Sequence, residues 1–229
     1  MSIFKISDRL TGPAAIATTT LYLAACVVYF LPIGIPHKIT LTTGLLAVAS
    51  LWLCPWQITL ALLFSALGDY MGSCGNFLGQ MGCFGLGHIF FILYFIDRYS
   101  HKIELHGKMS GKFKGYLTMV LLCTAALLGI AFGRLAPCAP AGILRTGIIV
   151  YSLLISAMMV TALIQRSSLF ALGAVLFVFS DFILAWNRFV EPVPYHTYMI
   201  LGPYFTAQWL LFIRTTSFRV APEMRILRF

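Results

Sequence analysis

Long apolar segments follow one another along almost the whole chain, separated only by short polar stretches. Eight of them approach the roughly 20 residues that an α-helix needs to cross the hydrocarbon core of a bilayer. Hydrophobic residues make up 60% of the sequence and charged residues 10%, whereas about 25% of the residues of an ordinary soluble domain are charged. A single soluble core could not bury this many apolar segments. We therefore predict an all-α polytopic membrane protein.

The apolar segments define the predicted transmembrane helices. They cover residues 13–31, 38–54, 56–72, 77–96, 114–133, 143–164, 168–187 and 196–214. No segment alternates like a strand of a membrane β-barrel, and no Pro-rich or low-complexity linker divides the chain, so one transmembrane domain is expected over residues 1–229. The apolar run after Lys5 and Arg9 continues past Cys26, and we expect an uncleaved first span rather than a signal peptide.

The positive charges are distributed unevenly between the two ends of the predicted spans. If the N-terminus lies in the cytoplasm, 12 of the 16 Lys and Arg residues fall on the cytoplasmic side. The four exceptions are Lys38, Arg134, Arg145 and Arg188. This positive-inside pattern predicts that both termini are cytoplasmic. Topology and anionic lipids then account for the formal net charge of +9, so membrane lipids are expected partners and nucleic acids are not.

Two acidic residues, Asp69 and Asp181, lie inside predicted spans, although the whole chain has only seven Asp and Glu residues. A charged side chain at the centre of a membrane costs about 2.5–3.5 kcal/mol or more, and such a residue marks a functional site by default. The two spans run in the same direction, so the carboxyl groups are expected at similar depth. Two carboxyl groups in a low-dielectric pocket seldom ionise alike, which suits one as an acid and the other as a base.

The two acids end stretches that resemble each other, LFSALGD at residues 63–69 and LFVFSD at residues 176–181. In the span that follows each stretch, Leu-Gly precedes His88 in one case and Pro203 in the other. Four spans separate the copies, so they would run parallel. The pattern suggests two parallel four-helix repeats related by an axis along the membrane normal, although apolar sequences can also resemble each other by chance.

Further polar side chains lie in the fourth, seventh and eighth predicted spans. Gln80 and His88 share one face of the fourth span, and Tyr204 and Gln208 share one face of the eighth. The full candidate cluster comprises Asp69, Gln80, His88, Asp181, Asn187, Arg188, Tyr204 and Gln208. For each member the alternative is a structural role, such as a hydrogen bond between helices or a position at the membrane interface.

Histidine and cysteine residues do not form a metal-binding pattern. His88 is the only histidine well inside a span, and the six cysteines show no C-x-x-C pair. Zinc sites usually need more such ligands, so neither a metal nor another cofactor is predicted. Cys74 and Cys138 both fall in predicted outer loops, where a disulfide is an option in an oxidising compartment.

The motifs around these residues resemble the YhhN-like lysoplasmalogenase family of integral membrane hydrolases. The resemblance is carried by LLFSALGD at 62–69, FGLGHI at 84–89, GAVLFVFSD at 173–181, LAWNRF at 184–189 and YFTAQWL at 204–210. These segments occur in order through the third to eighth spans and cover most of the chain, whereas the first two spans add little. Their combination is fairly specific, although any one motif alone would be weak.

The resemblance implies hydrolysis of the vinyl ether bond of lysoplasmalogens, a class of lysophospholipid. One of Asp69 and Asp181 would be the protonated acid, and the other would stabilise the resulting cation and activate water. His88 would orient groups or relay a proton. Tyr204 and Gln208 would position the water or the ether oxygen, and Arg188 would bind the phosphate.

Other functions are compatible with the same residues. A proton-coupled transporter can also combine parallel repeats with intramembrane acids, and a non-catalytic lipid-binding protein is a further alternative. Turnover by the purified protein would distinguish an enzyme from both. A different lipid hydrolase, such as an amidase or phospholipase, is a third alternative that only a panel of substrates would separate. We expect a multi-pass protein of a bacterial inner membrane, and the sequence indicates no oligomeric state.

Overall fold

The computed structural model describes residues 12–106 and 111–219, which form long helices and no β-strand. The helices are α1 Pro13–Phe30, α2 Lys38–Leu53, α3 Trp56–Ser73, α4 Phe77–His106, α5 Gly111–Ile130, α6 Ile143–Ile164, α7 Ser168–Phe189 and α8 His196–Arg219. Helix α5 continues through a π-helical turn, Ala131–Leu135, into a last short helix, Ala136–Cys138. Every helix except α5 begins at the residue predicted for its span, and α5 begins three residues earlier.

Five helices in this part of the chain are long and apolar enough to cross a membrane, namely α1, α4, α5, α6 and α7. Helix α2 is apolar but has 16 residues. Helices α3 and α8 carry Asp69 and Gln208, and such polar residues lower the mean hydropathy of helices that face the interior of a bundle. The prediction of an all-α polytopic membrane protein is confirmed, and the eight spans and their orientation remain predictions. Of the charges used for the orientation, Lys5, Arg9, Lys108, Arg225 and Arg228 lie outside the described residues.

The main helix contacts in one half of the chain have counterparts in the other half. The most extensive helix contacts are those of α3 with α4 and of α7 with α8. Helix α2 packs on α3 as α6 packs on α7, and between the halves α4 packs on α6 as α8 packs on α2. This arrangement agrees with the repeat suggested by the sequence.

A three-residue turn joins α3 to α4, and the two helices then pack closely. Gly75 in this turn has a φ of +78°, a conformation that glycine adopts without strain. Further along α4, a Cβ atom on Gly87 would lie 3.1 Å from the carbonyl oxygen of Ala61 on α3. Small residues allow this close approach between membrane helices, and it fixes α4 relative to Asp69 on α3.

Gly87→Leu is expected to destabilise the protein, because the new side chain has no room between α3 and α4. Overpacking of this kind costs about 1–3 kcal/mol and would lower the midpoint of thermal unfolding in detergent. Gly82→Leu is the matched control, since an added Cβ there has no neighbouring atom within 4 Å. An equal loss of stability in the two variants would contradict the prediction.

Candidate active site

Asp69 lies on α3 inside the bundle, with 1% of its surface exposed. Its Oδ2 accepts a hydrogen bond of 2.6 Å from Thr43 Oγ1 of α2 and one of 2.8 Å from the Tyr204 hydroxyl of α8. One turn along α8, Gln208 Nε2 donates to the same hydroxyl at 3.1 Å. The structure therefore brings Asp69, Tyr204 and Gln208 together, as predicted, and adds Thr43.

Asp181 lies on α7, and both it and Asp69 are thirteen residues after the first residue of their helices. The Asp181 side chain is 9% exposed, and its Oδ2 accepts a hydrogen bond from the Tyr151 hydroxyl of α6. His88 Nε2 of α4 lies 3.8 Å from the same oxygen and 3.0 Å from the Tyr151 hydroxyl. His88 and Asp181 are thus close to each other, with Tyr151 bridging them.

The two acid clusters are built in the same way. Each aspartate is on the third helix of its half and accepts a hydrogen bond from the second helix of that half, from Thr43 or Tyr151. Each also meets a ring on the fourth helix of the other half, which is Tyr204 for Asp69 and His88 for Asp181. Each half of the chain therefore completes the cluster of the other.

Aromatic rings lie between the two clusters. Phe84 of α4 and Phe177 of α7 meet edge to face with centroids 6.3 Å apart. The Tyr204 ring packs edge-on against both, at 5.8 and 5.4 Å, and Phe177 lies 4.9 Å from the His88 ring. The sequence suggested one polar cluster, whereas the structure has two, because these phenyl rings occupy the space between the acids.

A largely apolar cavity lies beside Asp181 between α4, α5, α6 and α7. Its lining extends along α6 from Ile148 to Ser156, about 12 Å of helix. Its polar lining residues are Gln80, Tyr151, Ser152, Ser156 and Asp181. An apolar pocket lined by a few polar groups is typical of a small-molecule site. Asp181 lines it, whereas Asp69 does not.

The π-helical turn of α5 forms part of the cavity wall. Ala131 and Leu135, its first and last residues, both line the cavity, while Phe132 and Gly133 between them are exposed. Single π-helical turns are found frequently at functional sites. The hydropathy pattern used to predict the fifth span does not reveal such a turn.

Three predicted residues lie at or near one end of the cavity. Gln80 lines it, and its amide packs so closely on α3 that a Cβ on Gly72 would be 2.6 Å away. The exposed Arg188 places its guanidinium 4.3 Å from the centre of the Phe77 ring, and Phe77 lines the cavity. Asn187 Oδ1 instead accepts the Val193 backbone N–H at 2.9 Å and holds the loop after α7.

Tyr151 and Thr43 are the two residues of the clusters that sequence reasoning missed. Both donate a hydroxyl hydrogen bond to an aspartate. The available signal was that a buried tyrosine hydroxyl usually needs a hydrogen-bond partner, which applies to Tyr151 in the middle of α6. Thr43 has no comparable signal, because threonine in a membrane helix commonly bonds to its own backbone, as Thr43 also does to the Ile39 carbonyl.

In the described part of the chain, neither a disulfide nor a group of metal-binding side chains accompanies these clusters. Cys74 and Cys138 are exposed free thiols, so the disulfide considered for them is not formed. Within residues 12–106 and 111–219, no three His, Cys, Asp or Glu side chains group as they would around a metal ion.

Comparison with known proteins identifies the family. A profile of the YhhN family matches residues 17–215. The chain belongs to the YhhN family. This match extends from α1 into α8 and confirms the resemblance that the sequence motifs indicated. It includes all eight residues of the candidate cluster.

Several YhhN relatives carry the name Lysoplasmalogenase TMEM86B. The human protein is 28% identical over 155 residues, which are 66% of this chain and 59% of the human protein. The mouse protein is 27% identical over 218 residues, 84% of this chain and 83% of the mouse protein. The chain therefore spans less than two thirds of the human relative. No solved structure is significantly similar to the chain.

Proposed function

We propose that this YhhN protein hydrolyses the vinyl ether bond of lysoplasmalogens within a membrane, by acid/base catalysis that depends on Asp181 and Asp69. The products are a fatty aldehyde and glycerophosphoethanolamine or glycerophosphocholine. The observation that carries the proposal is the Asp181 carboxyl group, held by Tyr151 beside His88 in the wall of a largely apolar cavity. The relatives named lysoplasmalogenase support the choice of substrate.

The proposed reaction begins with proton transfer from Asp181 to the alkene carbon that is not bonded to oxygen. The double-bond electrons form the new C–H bond and leave an oxocarbenium ion. The carboxylate stabilises this cation and accepts a proton as water adds to it. The hemiacetal then loses its hydroxyl proton, the ether oxygen gains one, and the C–O bond breaks. A positioned carboxyl group can contribute about 10²–10⁴-fold through such proton transfers.

Asp181 is suited to these transfers because the two oxygens of its carboxyl group have different surroundings. The contacts described for its carboxyl group with Tyr151 and His88 involve Oδ2. Oδ1 is then the oxygen through which the group can reach a substrate in the cavity. The low exposure of the side chain limits competing contact with bulk water, which strengthens the electrostatic effect of the carboxylate on a nearby cation.

Asp69 is assigned a supporting role in the same reaction. Its hydrogen bond orients the Tyr204 hydroxyl, and the Tyr204 ring packs on Phe84, which lines the cavity. Gln208 strengthens the same arrangement through Tyr204. Tyr204 and Gln208 thus act on the cavity wall instead of contacting the water or ether oxygen.

Arg188 and Gln80 are proposed to bind the head group of the substrate. The Arg188 guanidinium stacks on the ring of Phe77 at one end of the cavity, where it can form charge-assisted hydrogen bonds with a phosphate. Gln80 offers an amide at the same end. Asn187 contributes by holding the loop that follows Arg188.

The membrane arrangement is part of the proposal. All eight helices are proposed to span a bacterial inner membrane with both termini in the cytoplasm, as the distribution of Lys and Arg favours. This orientation places the end of the cavity near Arg188 towards the outer face. The alkenyl chain would enter laterally between helices and lie along the apolar lining.

The test is aldehyde release from a lysoplasmalogen by the purified protein in detergent. The control substrate is a lysophospholipid with the same head group and chain length but an ester in place of the vinyl ether. Release from the vinyl ether alone is the expected result. If neither substrate is cleaved, the hydrolase proposal is wrong, and a proteoliposome assay of proton-coupled transport would examine the alternative function.

Ala131→Phe is expected to weaken the use of long-chain substrates, because the new ring would fill space in the cavity beside the π-helical turn. We expect KM for a long-chain lysoplasmalogen to rise about tenfold, which corresponds to a loss of about 1.4 kcal/mol, and KM for a short-chain one to change less. Gly133→Phe adds the same ring to the exposed face of this turn and serves as the control. An equal change for both chain lengths would contradict the placement of the chain.

A further inference from the structure

The hydroxyl group of Tyr151 is the bridge between an imidazole and a carboxyl group. It donates to Asp181 Oδ2 and lies 3.0 Å from His88 Nε2, whereas the direct distance from Nε2 to Oδ2 is 3.8 Å. His88 is 1% exposed and does not line the cavity. The shortest hydrogen-bonded route from His88 to the cavity therefore passes through Tyr151.

The hydrogens shared by His88, Tyr151 and Asp181 can be placed in two arrangements. Tyrosine has one hydroxyl hydrogen and histidine can hold a proton on either ring nitrogen or on both. If Tyr151 donates to an ionised Asp181, then Nε2 must carry a hydrogen and donate to Tyr151. If Asp181 is protonated and donates to Tyr151, then Tyr151 donates to the Nε2 lone pair. The two arrangements differ only in the positions of protons.

Both arrangements avoid a net buried charge. If Nδ1 carries a hydrogen in both arrangements, the pair is either an imidazolium with a carboxylate or a neutral imidazole with a carboxylic acid, and the total charge is zero in each. Nδ1 itself is buried without a hydrogen-bond partner. A low-dielectric interior penalises an isolated ion far more than a neutral or paired group. The His88 side chain contacts Tyr151, Asp181 and the Phe177 ring. Within residues 12–100 and 114–216, Asp181 is thus the one charged side chain seen in contact with it.

We infer that Tyr151 relays one shared proton between His88 and Asp181. The step is a double transfer in which the Nε2 proton moves to the Tyr151 oxygen while the Tyr151 proton moves to Asp181 Oδ2. An imidazolium and a carboxylate thereby become an imidazole and a carboxylic acid. Where it concerns turnover, this inference rests on the proposed function, because the relay supplies the protonated Asp181 that the first step of hydrolysis requires. The proton arrives on Oδ2, and rotation of the carboxyl group about its Cβ–Cγ bond then presents it to the cavity.

Tyr151→Phe tests the relay in turnover, because it keeps the ring and removes the hydroxyl. We expect kcat for aldehyde release to fall about 10- to 100-fold, within the range of general acid–base effects, while KM stays within about twofold. The control is Tyr116→Phe, which removes a hydroxyl that donates to the Leu163 carbonyl of α6 at 3.3 Å. A Tyr151→Phe enzyme with unchanged kcat would overturn the inference.

A second measurement does not depend on the substrate. The ¹⁵N resonances of His88, identified by their loss in His88→Gln, report which ring nitrogens are protonated. We expect Asp181→Asn to shift these resonances strongly when Tyr151 is present and weakly in the Tyr151→Phe background. Equal shifts in both backgrounds would mean that the two groups interact directly across 3.8 Å, and the relay would be wrong.

The two measurements separate the relay from the proposed function. If the wild-type protein releases no aldehyde, the hydrolase proposal fails and the ¹⁵N shifts still decide the relay. If Tyr151→Phe does not fold, His88→Gln interrupts the relay at its other end, because glutamine can hydrogen-bond to Tyr151 but cannot hold the extra proton. A fall in kcat of about 10- to 100-fold is then expected again, and an unchanged kcat would overturn the inference.

Discussion

Asp181→Asn is expected to reduce aldehyde release by about 1,000-fold, near the middle of the logarithmic range for a positioned acid or base. Asparagine has almost the same shape and its carbonyl oxygen can accept the hydrogen bond of Tyr151, so the helices should pack as before. It cannot give a proton to an alkene carbon. The loss should therefore be in kcat, measured with purified protein whose thermal unfolding midpoint matches that of the wild type.

The matched control for this variant is Asp97→Asn. Asp97 is another aspartate of the described helices and is exposed near the C-terminal end of α4, away from the cavity lining. Removing its charge should leave aldehyde release within about twofold of the wild-type rate, as expected for a surface change outside the site. Retention of more than a tenth of the activity by folded Asp181→Asn would refute the role given to Asp181.

Asp69→Leu is expected to reduce both stability and activity. Leucine cannot accept the hydrogen bonds of Thr43 and Tyr204, and an unsatisfied buried hydroxyl costs about 1–3 kcal/mol. The release of Tyr204 would also loosen its contact with Phe84 in the cavity wall. A lower unfolding midpoint in detergent and a loss of at least about tenfold in aldehyde release are the expected results, since 1.4 kcal/mol is already a factor of ten.

Asp69→Asn separates the support of the wall from proton transfer. The asparagine oxygen can accept from both hydroxyls, and the amide would replace Oδ1, which is buried without a hydrogen-bond partner. Because that amide would also lack a partner, we expect an unfolding midpoint below that of the wild type, and a smaller loss of activity than in Asp69→Leu. If folded Asp69→Asn is as inactive as Asp181→Asn, Asp69 takes part in the proton transfers itself and its supporting role is wrong.

Helix positions could be predicted because strong local signals bound the apolar segments. Pro13, Pro55 and Gly142 stand at or just before helix starts, and the length of each segment limits where its helix can end. Asp69 and Asp181 were identifiable for a related reason, since an acid is conspicuous within a run of apolar residues. These features depend on nearby residues and on the cost of charge in hydrocarbon.

The division of the site into two clusters could not be predicted, because it depends on which side chains fill the space between helices. Phe84 and Phe177 look like ordinary apolar residues of their spans, and only their packing shows that they separate the acids. Tyr151 was missed because a tyrosine in a span is equally compatible with lipid contact. The cavity results from the packing of four helices and has no signature in any one of them.

The exchange of partners between the two halves has a consequence for biogenesis. If all eight helices span the membrane as proposed, Asp69 on α3 enters it during synthesis before Tyr204 on α8 has been made. His88 on α4 likewise precedes Tyr151 and Asp181. The first four helices cannot satisfy their polar groups alone, and a chain truncated before α6 would leave an acid and an imidazole incompletely paired in hydrocarbon. Correct assembly is therefore completed only when α8 arrives, and a ribosome stalled earlier would present quality-control proteases with an incompletely paired intermediate.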